Sequence, residues 1–249
     1  DNTEVNLSTT IGNQIFDGAG SSIRGSNLIG VSQRSYYSGY STSDSSSTNQ
    51  NISNQTFGNG TKILLNSTFG DQNTSSKSGI NQSSYLTGII QETDHRGSGR
   101  DDGSADNRNE HNQIFGNDTQ IRLSSTSGDY IHDGVVSEES WSDGTLTSNL
   151  IGISQNSDER TTPSNNFATT IVNNSSQIFG DDTKVILSNQ SGNIGGYDNT
   201  YVNLNSSFTG VDQRTTLSGY TNQGLTDAEF SSTQEFGDNT RIYFSNKHG

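Results

Sequence analysis

The chain has 249 residues, a formal net charge of −14 and only 25% hydrophobic residues. With the 28 glycines counted the figure is about 36%, still below the roughly 45–50% of an ordinary globular domain on the same count, so a thick apolar core is not expected. The acidic balance argues against nucleic acid and anionic membrane surfaces as partners, and no apolar run reaches the ~18 residues that cross a bilayer as a helix.

Low hydrophobicity with high net charge is the composition of a disordered chain, but there is a single proline, and the apolar residues recur in register. With no cysteine, stability is expected to come from backbone pairing and packing. There is also no methionine, so the chain is expected to be a processed or excised product. Removal of a secretion signal is the commonest such event, which gives an expected secreted or cell-surface localisation.

The chain opens on Asp1-Asn2-Thr3-Glu4-Val5-Asn6-Leu7-Ser8, the back part of a phrase that recurs in full further on. The full form is Gln-x-Phe-Gly-[Asn/Asp]-x-Thr-x-[Ile/Val]-x-[Leu/Phe]-[Ser/Asn]. It runs from Gln55 to Asn66, Gln113 to Ser124, Gln177 to Ser188 and Gln234 to Ser245. Its threonines, Thr3, Thr61, Thr119, Thr183 and Thr240, step by 58, 58, 64 and 57 residues. A second phrase, [Leu/Phe]-[Ile/Thr]-Gly-[Val/Ile]-x-Gln, runs from Leu28 to Gln33, Leu86 to Gln91, Leu150 to Gln155 and Phe208 to Gln213. Its glycines, Gly30, Gly88, Gly152 and Gly210, step by 58, 64 and 58 residues. Two phrases holding one spacing define tandem units of about 58 residues.

The units are placed at approximately 1–54, 55–112, 113–176 and 177–233, with a partial fifth at 234–249, all within one repeat domain. About six extra residues fall between Ser124 and Asn149, a stretch that holds the only tryptophan, Trp141. Insertions of this kind map to loops on one face of a repeat protein, often the binding face.

Within the first phrase, apolar residues alternate with polar ones, the period of a strand with one buried face. The Gly-Asn-Gly, Gly-Asn-Asp, Gly-Asp-Asp and Gly-Asp-Asn triplets before each threonine are turn chemistry. Phe57, Phe115, Phe179 and Phe236 are expected to pack inward just before each turn. The predicted fold is an all-β tandem-repeat solenoid, with a four-bladed β-propeller as the alternative. Two fainter echoes, Asn13-Gln14-Ile15-Phe16 and the stretch from Tyr197 to Leu204, predict three coils of about 19 residues in each unit.

The repeated polar residues are glutamines: Gln55, Gln113, Gln177 and Gln234 in one phrase, Gln33, Gln91, Gln155 and Gln213 in the other. Glutamine has no useful acid–base chemistry but offers two donors and an acceptor, so an amide ladder is expected. The four histidines, His95, His111, His132 and His248, fall at non-equivalent positions and share no triad motif, so no enzyme activity is expected. Asp181, Asp182 and Asp238 are the candidate Ca²⁺ ligands, because carboxylates and turn carbonyls are the ligands this ion takes. No other cofactor is expected.

Two functions fit this pattern. The first is an extracellular structural or adhesive protein, a fibre or surface-layer subunit whose partner is a further copy of itself stacked head to tail. The alternative is a multivalent lectin for surface glycans, with Trp141, Tyr36, Tyr40 and Tyr220 as candidate ligand-binding residues. Tyr36, Tyr37, Tyr40 and Tyr220 follow the second phrase in two units, whereas Asp94-His95-Arg96 and Asp158-Glu159-Arg160 stand there in the others. The Val-x-Gln and Ile-x-Gln alternation resembles that of curlin-type repeats, although the unit is far longer and no membership follows.

Overall fold

The structure, a computed structural model, describes residues 3–12, 14–17, 20–41, 46–75, 78–99, 104–128, 130–132, 142–163, 168–191, 194–196, 200–219 and 226–248. Within these the chain is strand broken only by short turns. The first turn of the chain is β1 (Glu4–Ile11), β2 (Gln14–Asp17), β3 (Gly20–Ser41) and β4 (Ser46–Phe57). The second is β5 (Lys62–Phe69), β6 (Gln72–Ser75), β7 (Ser78–Gly99) and β8 (Ser104–Phe115). The third is β9 (Gln120–Ser127), β10 (Tyr130–His132), β11 (Ser142–Pro163) and β12 (Ala168–Phe179). The fourth is β13 (Lys184–Ser191), β14 (Ile194–Gly196), β15 (Thr200–Gly219) and β16 (Thr226–Phe236), and β17 (Arg241–His248) begins a fifth.

Each strand pairs in parallel with its counterpart one unit away. Four sheets result, ordered β1-β5-β9-β13-β17, β2-β6-β10-β14, β3-β7-β11-β15 and β4-β8-β12-β16. This is a β-solenoid. A propeller would build antiparallel blades from neighbouring strands of one unit, whereas every ladder here joins equivalent residues of successive units, such as Ile63 with Ile121 and Gln113 with Gln55.

The expected division of each unit into three short coils is overturned. A whole unit makes one rung, and β3, β7 and β11 alone run for 22 residues each, longer than an entire 19-residue coil. The echo at Gln14-Ile15-Phe16 lies in β2, on a different wall of the rung from the phrase it imitates. Register also narrows the insertion. Tyr130 pairs with Gln72 at an offset of 58 residues, and Gly144 pairs with Ile80 at an offset of 64. The extra residues therefore enter between β10 and β11, within 133–141, outside the described residues.

The interior has two parts. On β5 the inward residues are Ile63, Leu65, Ser67 and Phe69; on β9 they are Ile121, Leu123, Ser125 and Ser127; on β13 they are Val185, Leu187, Asn189 and Ser191. The first two positions of each strand meet Leu86, Leu150, Ile89, Ile153 and the phenylalanines in an apolar core. The last two face a polar layer. There Ser84 Oγ donates to Ser67 Oγ at 3.2 Å, Gln82 Nε2 donates to Ser127 Oγ at 2.6 Å, and Ser148 Oγ donates to Asn189 Oδ1 at 2.8 Å. Paired with one another, these groups are buried without the penalty of an unmade hydrogen bond. A narrow core that is half hydroxyl and amide accounts for so low an apolar content.

The second phrase makes a corner. Strict alternation would place Leu86 and Ile89 on opposite faces, yet both are fully buried. The strand bends at Gly88, where the ladder passes from Ile29–Thr87 to Val31–Ile89 without pairing the glycines. A Cβ on Gly88 would lie 2.5 Å from the carbonyl oxygen of Gly152 and 2.7 Å from Ile121 Cγ2. Glycine is required there because the backbone of the next rung and the facing sheet occupy the space.

Candidate functional site

The features that recur on every rung are ladders. In the sheet of β4, β8, β12 and β16, Gln113 Nε2 donates to Gln55 Oε1 at 2.9 Å, Gln177 to Gln113 at 2.9 Å and Gln234 to Gln177 at 2.7 Å. In the sheet of β3, β7, β11 and β15, Gln91 donates to Gln33 at 3.3 Å, Gln155 to Gln91 at 3.0 Å and Gln213 to Gln155 at 2.8 Å. Both ladders run the same way: each amide gives its Nε2 to the rung before it and offers its Oε1 to the rung after it. Gln91 Nε2 also donates to the carbonyl and the hydroxyl of Ser53, both at 3.0 Å, tying two walls of the rung together.

Two residues beyond the first ladder, the phenylalanines stack face to face. Ring centroids are 5.0 Å apart for Phe57–Phe115, 4.8 Å for Phe115–Phe179 and 4.9 Å for Phe179–Phe236, with interplanar angles of 2°, 0° and 6°. This near-parallel arrangement follows from the rung spacing, about 4.8 Å.

The turn after each phenylalanine stacks as well. Its third residue is left-handed: Gly60 has φ 69°, Asp118 58°, Asp182 58° and Asn239 59°. These are residue types that tolerate that region. The second residue bonds the rung after it. Asn117 N–H donates to Asn59 Oδ1 at 2.9 Å, Asp181 N–H to Asn117 Oδ1 at 3.0 Å, and Asp238 N–H to Asp181 Oδ1 at 2.7 Å. The threonine closes the turn, Thr61 Oγ1 donating to the Gly58 carbonyl at 2.7 Å, with Thr119, Thr183 and Thr240 doing the same at 2.8, 2.8 and 3.0 Å.

At the last described rung the ladders lie exposed, whereas at the first Gln55 and Phe57 are still buried, each 7% exposed. Among the described residues the Nε2 of Gln55 has no hydrogen-bond partner. At the far end Phe236, Ile242 and Phe244 stand 48%, 39% and 54% exposed, although Phe179, Val185 and Leu187 in the same columns one rung below are buried. At the near end Leu7 is 37% exposed above the fully buried column of Leu65. One edge therefore offers buried-type donors and apolar columns, and the other offers the matching acceptors and apolar columns.

The candidate ligand-binding residues do not converge. Tyr36 is exposed on β3 and lines a surface groove with Arg34, Glu92, Asp94, Asn156 and Asp158. Arg34 Nε lies 2.7 Å from Glu92 Oε2 there, an exposed ion pair. In its column Tyr36 is followed by Asp94, Asp158 and Thr216, so the aromatic is not repeated from rung to rung. Tyr40 lies on β3 with its side chain outside the described residues, as do Trp141 and Tyr220 entirely. Of the candidate Ca²⁺ ligands, Asp181 turns Oδ1 to the next rung, Asp182 supplies the left-handed turn position, and Asp238 is the second residue of the last turn, its N–H donating to Asp181 Oδ1. Among the described residues no group of three or more His, Cys, Asp or Glu side chains is placed to hold a metal, and no helix is long and apolar enough to cross a membrane.

The role of Gln82 and the inward serines was missed from the sequence, because Ser-rich segments read as surface and only their period-two placement marks them as interior. Comparison of the chain with protein-family models, with curated proteins and with solved structures finds no match to any of them.

Proposed function

We propose that this chain is an extracellular, non-enzymatic structural subunit that assembles head to tail, each copy laying its first rung on the last rung of the copy before it. The observation that carries this reading is the buried, unpartnered Nε2 of Gln55 at one edge. The ladder it belongs to ends at the other edge in Gln234, whose Oε1 is the acceptor position a following glutamine takes. A buried donor without an acceptor costs about 1–3 kcal/mol, and a like rung removes that cost while covering Phe236, Ile242 and Phe244. Because both glutamine ladders run the same way, only head-to-tail contact, a heterologous and non-closing one, satisfies them.

Negative-stain electron microscopy of the purified 249-residue chain at neutral pH tests this, with and without a calcium chelator. Unbranched filaments one solenoid wide are expected in both conditions, and Gln55→Ala is expected to slow their formation. Discrete particles at every concentration would contradict the proposal. That result would favour glycan binding instead, for which the groove beside Tyr36 is the place to look.

A further inference from the structure

The outward face of a wall is the same in a single copy and in a stack, so what it carries does not depend on how the rungs continue. The sheet of β1, β5, β9, β13 and β17 differs from the rest of the molecule in charge. Its strands hold Lys62, Arg122, Lys184, Arg241 and Lys247, five of the chain's 13 lysines and arginines. Of the 27 aspartates and glutamates they hold Glu4 alone. The sheet thus carries +4, leaving −18 on the rest of a chain whose total is −14.

Alternation sends these cations outward, because Ile63, Ile121, Leu123 and Val185 between them point into the core. Register then sorts the face into columns that run along the stack. The first holds Lys62, Lys184 and Arg241 with Glu4 and Gln120. In the second, Arg122 stands among Leu64, Ile186 and Tyr243. The third is Ser8, Asn66, Ser124, Ser188 and Ser245. Each of β5, β9, β13 and β17 therefore brings a cation to the first two columns, one rung of about 4.8 Å after another. Arg241 Nη1 donates to Tyr243 Oη at 3.5 Å, linking those columns. Among the described residues none of these cations is paired with a carboxylate; the ion pair there is Arg34–Glu92, on another wall.

We infer that this face binds a linear polyuronate, a polysaccharide with one carboxylate on each sugar. Consecutive sugars of such a polymer repeat at a spacing close to that of the rungs, so each rung meets one carboxylate. Leu64, Ile186 and Tyr243 give the C–H faces of the rings an apolar surface, and the hydroxyls and amide of the third column suit the sugar hydroxyls. Asn6, Leu64, Asn66, Arg122 and Ser124 already line a groove of about 360 Å³ on this face. A single exposed ion pair contributes little. Four in a row on one scaffold act on one polymer, and every contact after the first is intramolecular.

The acidic remainder of the chain does not cancel this attraction, since charges more than about 8 Å away are largely screened at physiological salt. Asp118, Asp181, Asp182 and Asp238 lie in the turns just before the first column, and they close that side to an anion. The polymer is thereby directed over the second and third columns. A second copy of this chain fits less well as the occupant. No described column, turns included, carries a carboxylate on more than two successive rungs.

Retention of the 249-residue chain on immobilised polygalacturonate tests the inference, with the fully methyl-esterified polymer as a neutral control on the same backbone. Retention on the acid form that weakens as salt is raised, and none on the ester, is expected. Lys62→Gln/Lys184→Gln is expected to lower the affinity about tenfold, the sum of two or three exposed ion pairs. Glutamine already stands in that column as Gln120, and circular dichroism checks that the fold is kept. Arg34→Gln/Arg214→Gln removes the same charge from another wall and is expected to change the affinity by less than about twofold. Equal loss in the two double variants would mean that net charge alone is sensed, and equal retention on the ester would mean that the cations are not used; either overturns the inference. No retention overturns it too, and side-by-side bundling of the chain in that case would give the face to a second copy. The outcome is independent of head-to-tail assembly, because a single copy presents the same columns.

Discussion

At the residue scale, the fold depends on positions where only one kind of side chain fits the rung above or below. A Cβ on Gly152 would lie 2.5 Å from the Gly210 carbonyl oxygen and 2.5 Å from Val185 Cγ1. Neither neighbour can yield, since one is backbone and the other a β-branched side chain in a fully buried position. Gly152→Ala is therefore expected to lower unfolding free energy by about 1–3 kcal/mol, the range for overpacking a filled interior. Gly12, with nothing within 4 Å of its Cβ position, is the control, and Gly12→Ala is expected to change stability by less than about 0.5 kcal/mol. Chemical denaturation of the two variants side by side checks both values; equal effects would contradict the packing account.

At the element scale, much of each strand was legible and its partners were not. The alternation in the first phrase fixed which side of β5, β9 and β13 faces inward, and the phrase boundaries matched the stacked phenylalanines and turns. The corner at Gly88 was visible as a conserved interruption of the period between units, though its bend is a consequence of backbone approach that no single unit displays. The three-coil expectation failed because a local echo such as Gln14-Ile15-Phe16 reports similar local structure, not stacking. Only spacing that recurs through the whole chain reports which strands touch. The polar layer was equally hidden, since Ser84, Ser125 and Asn189 are buried by partners 17 to 41 residues away.

The glutamine ladders belong to this scale because each amide stabilises its neighbours. Gln113 gives Nε2 to Gln55 and receives Nε2 of Gln177. Gln113→Ala leaves the buried Gln177 Nε2 with only the longer bond to the Asp212 carbonyl at 3.4 Å and is expected to cost about 1–3 kcal/mol. The equivalent change at the open edge, Gln234→Ala, is expected to cost less in the isolated chain. Thermal or denaturant unfolding of the two variants below the concentration of assembly checks the order, and a larger loss at Gln234 would contradict the ladder account.

At the scale of the whole molecule, the solenoid is a stack with a direction and two complementary edges. Each rung satisfies the one before it through amides, rings and turns, and the described stack leaves those same groups waiting at either end. The candidate glycan residues do not share in this organisation: Tyr36 faces solvent beside charged neighbours, and nothing in its column repeats it.

X-ray fibre diffraction from aligned filaments of the 249-residue chain tests the central claim most directly. If the rungs continue from copy to copy, a sharp reflection at about 4.8 Å must lie on the meridian, along the filament axis, because the strands run across that axis. The same reflection on the equator, or its absence from well-aligned filaments, would mean that the copies associate side by side and that the open edges are not the surfaces that join them.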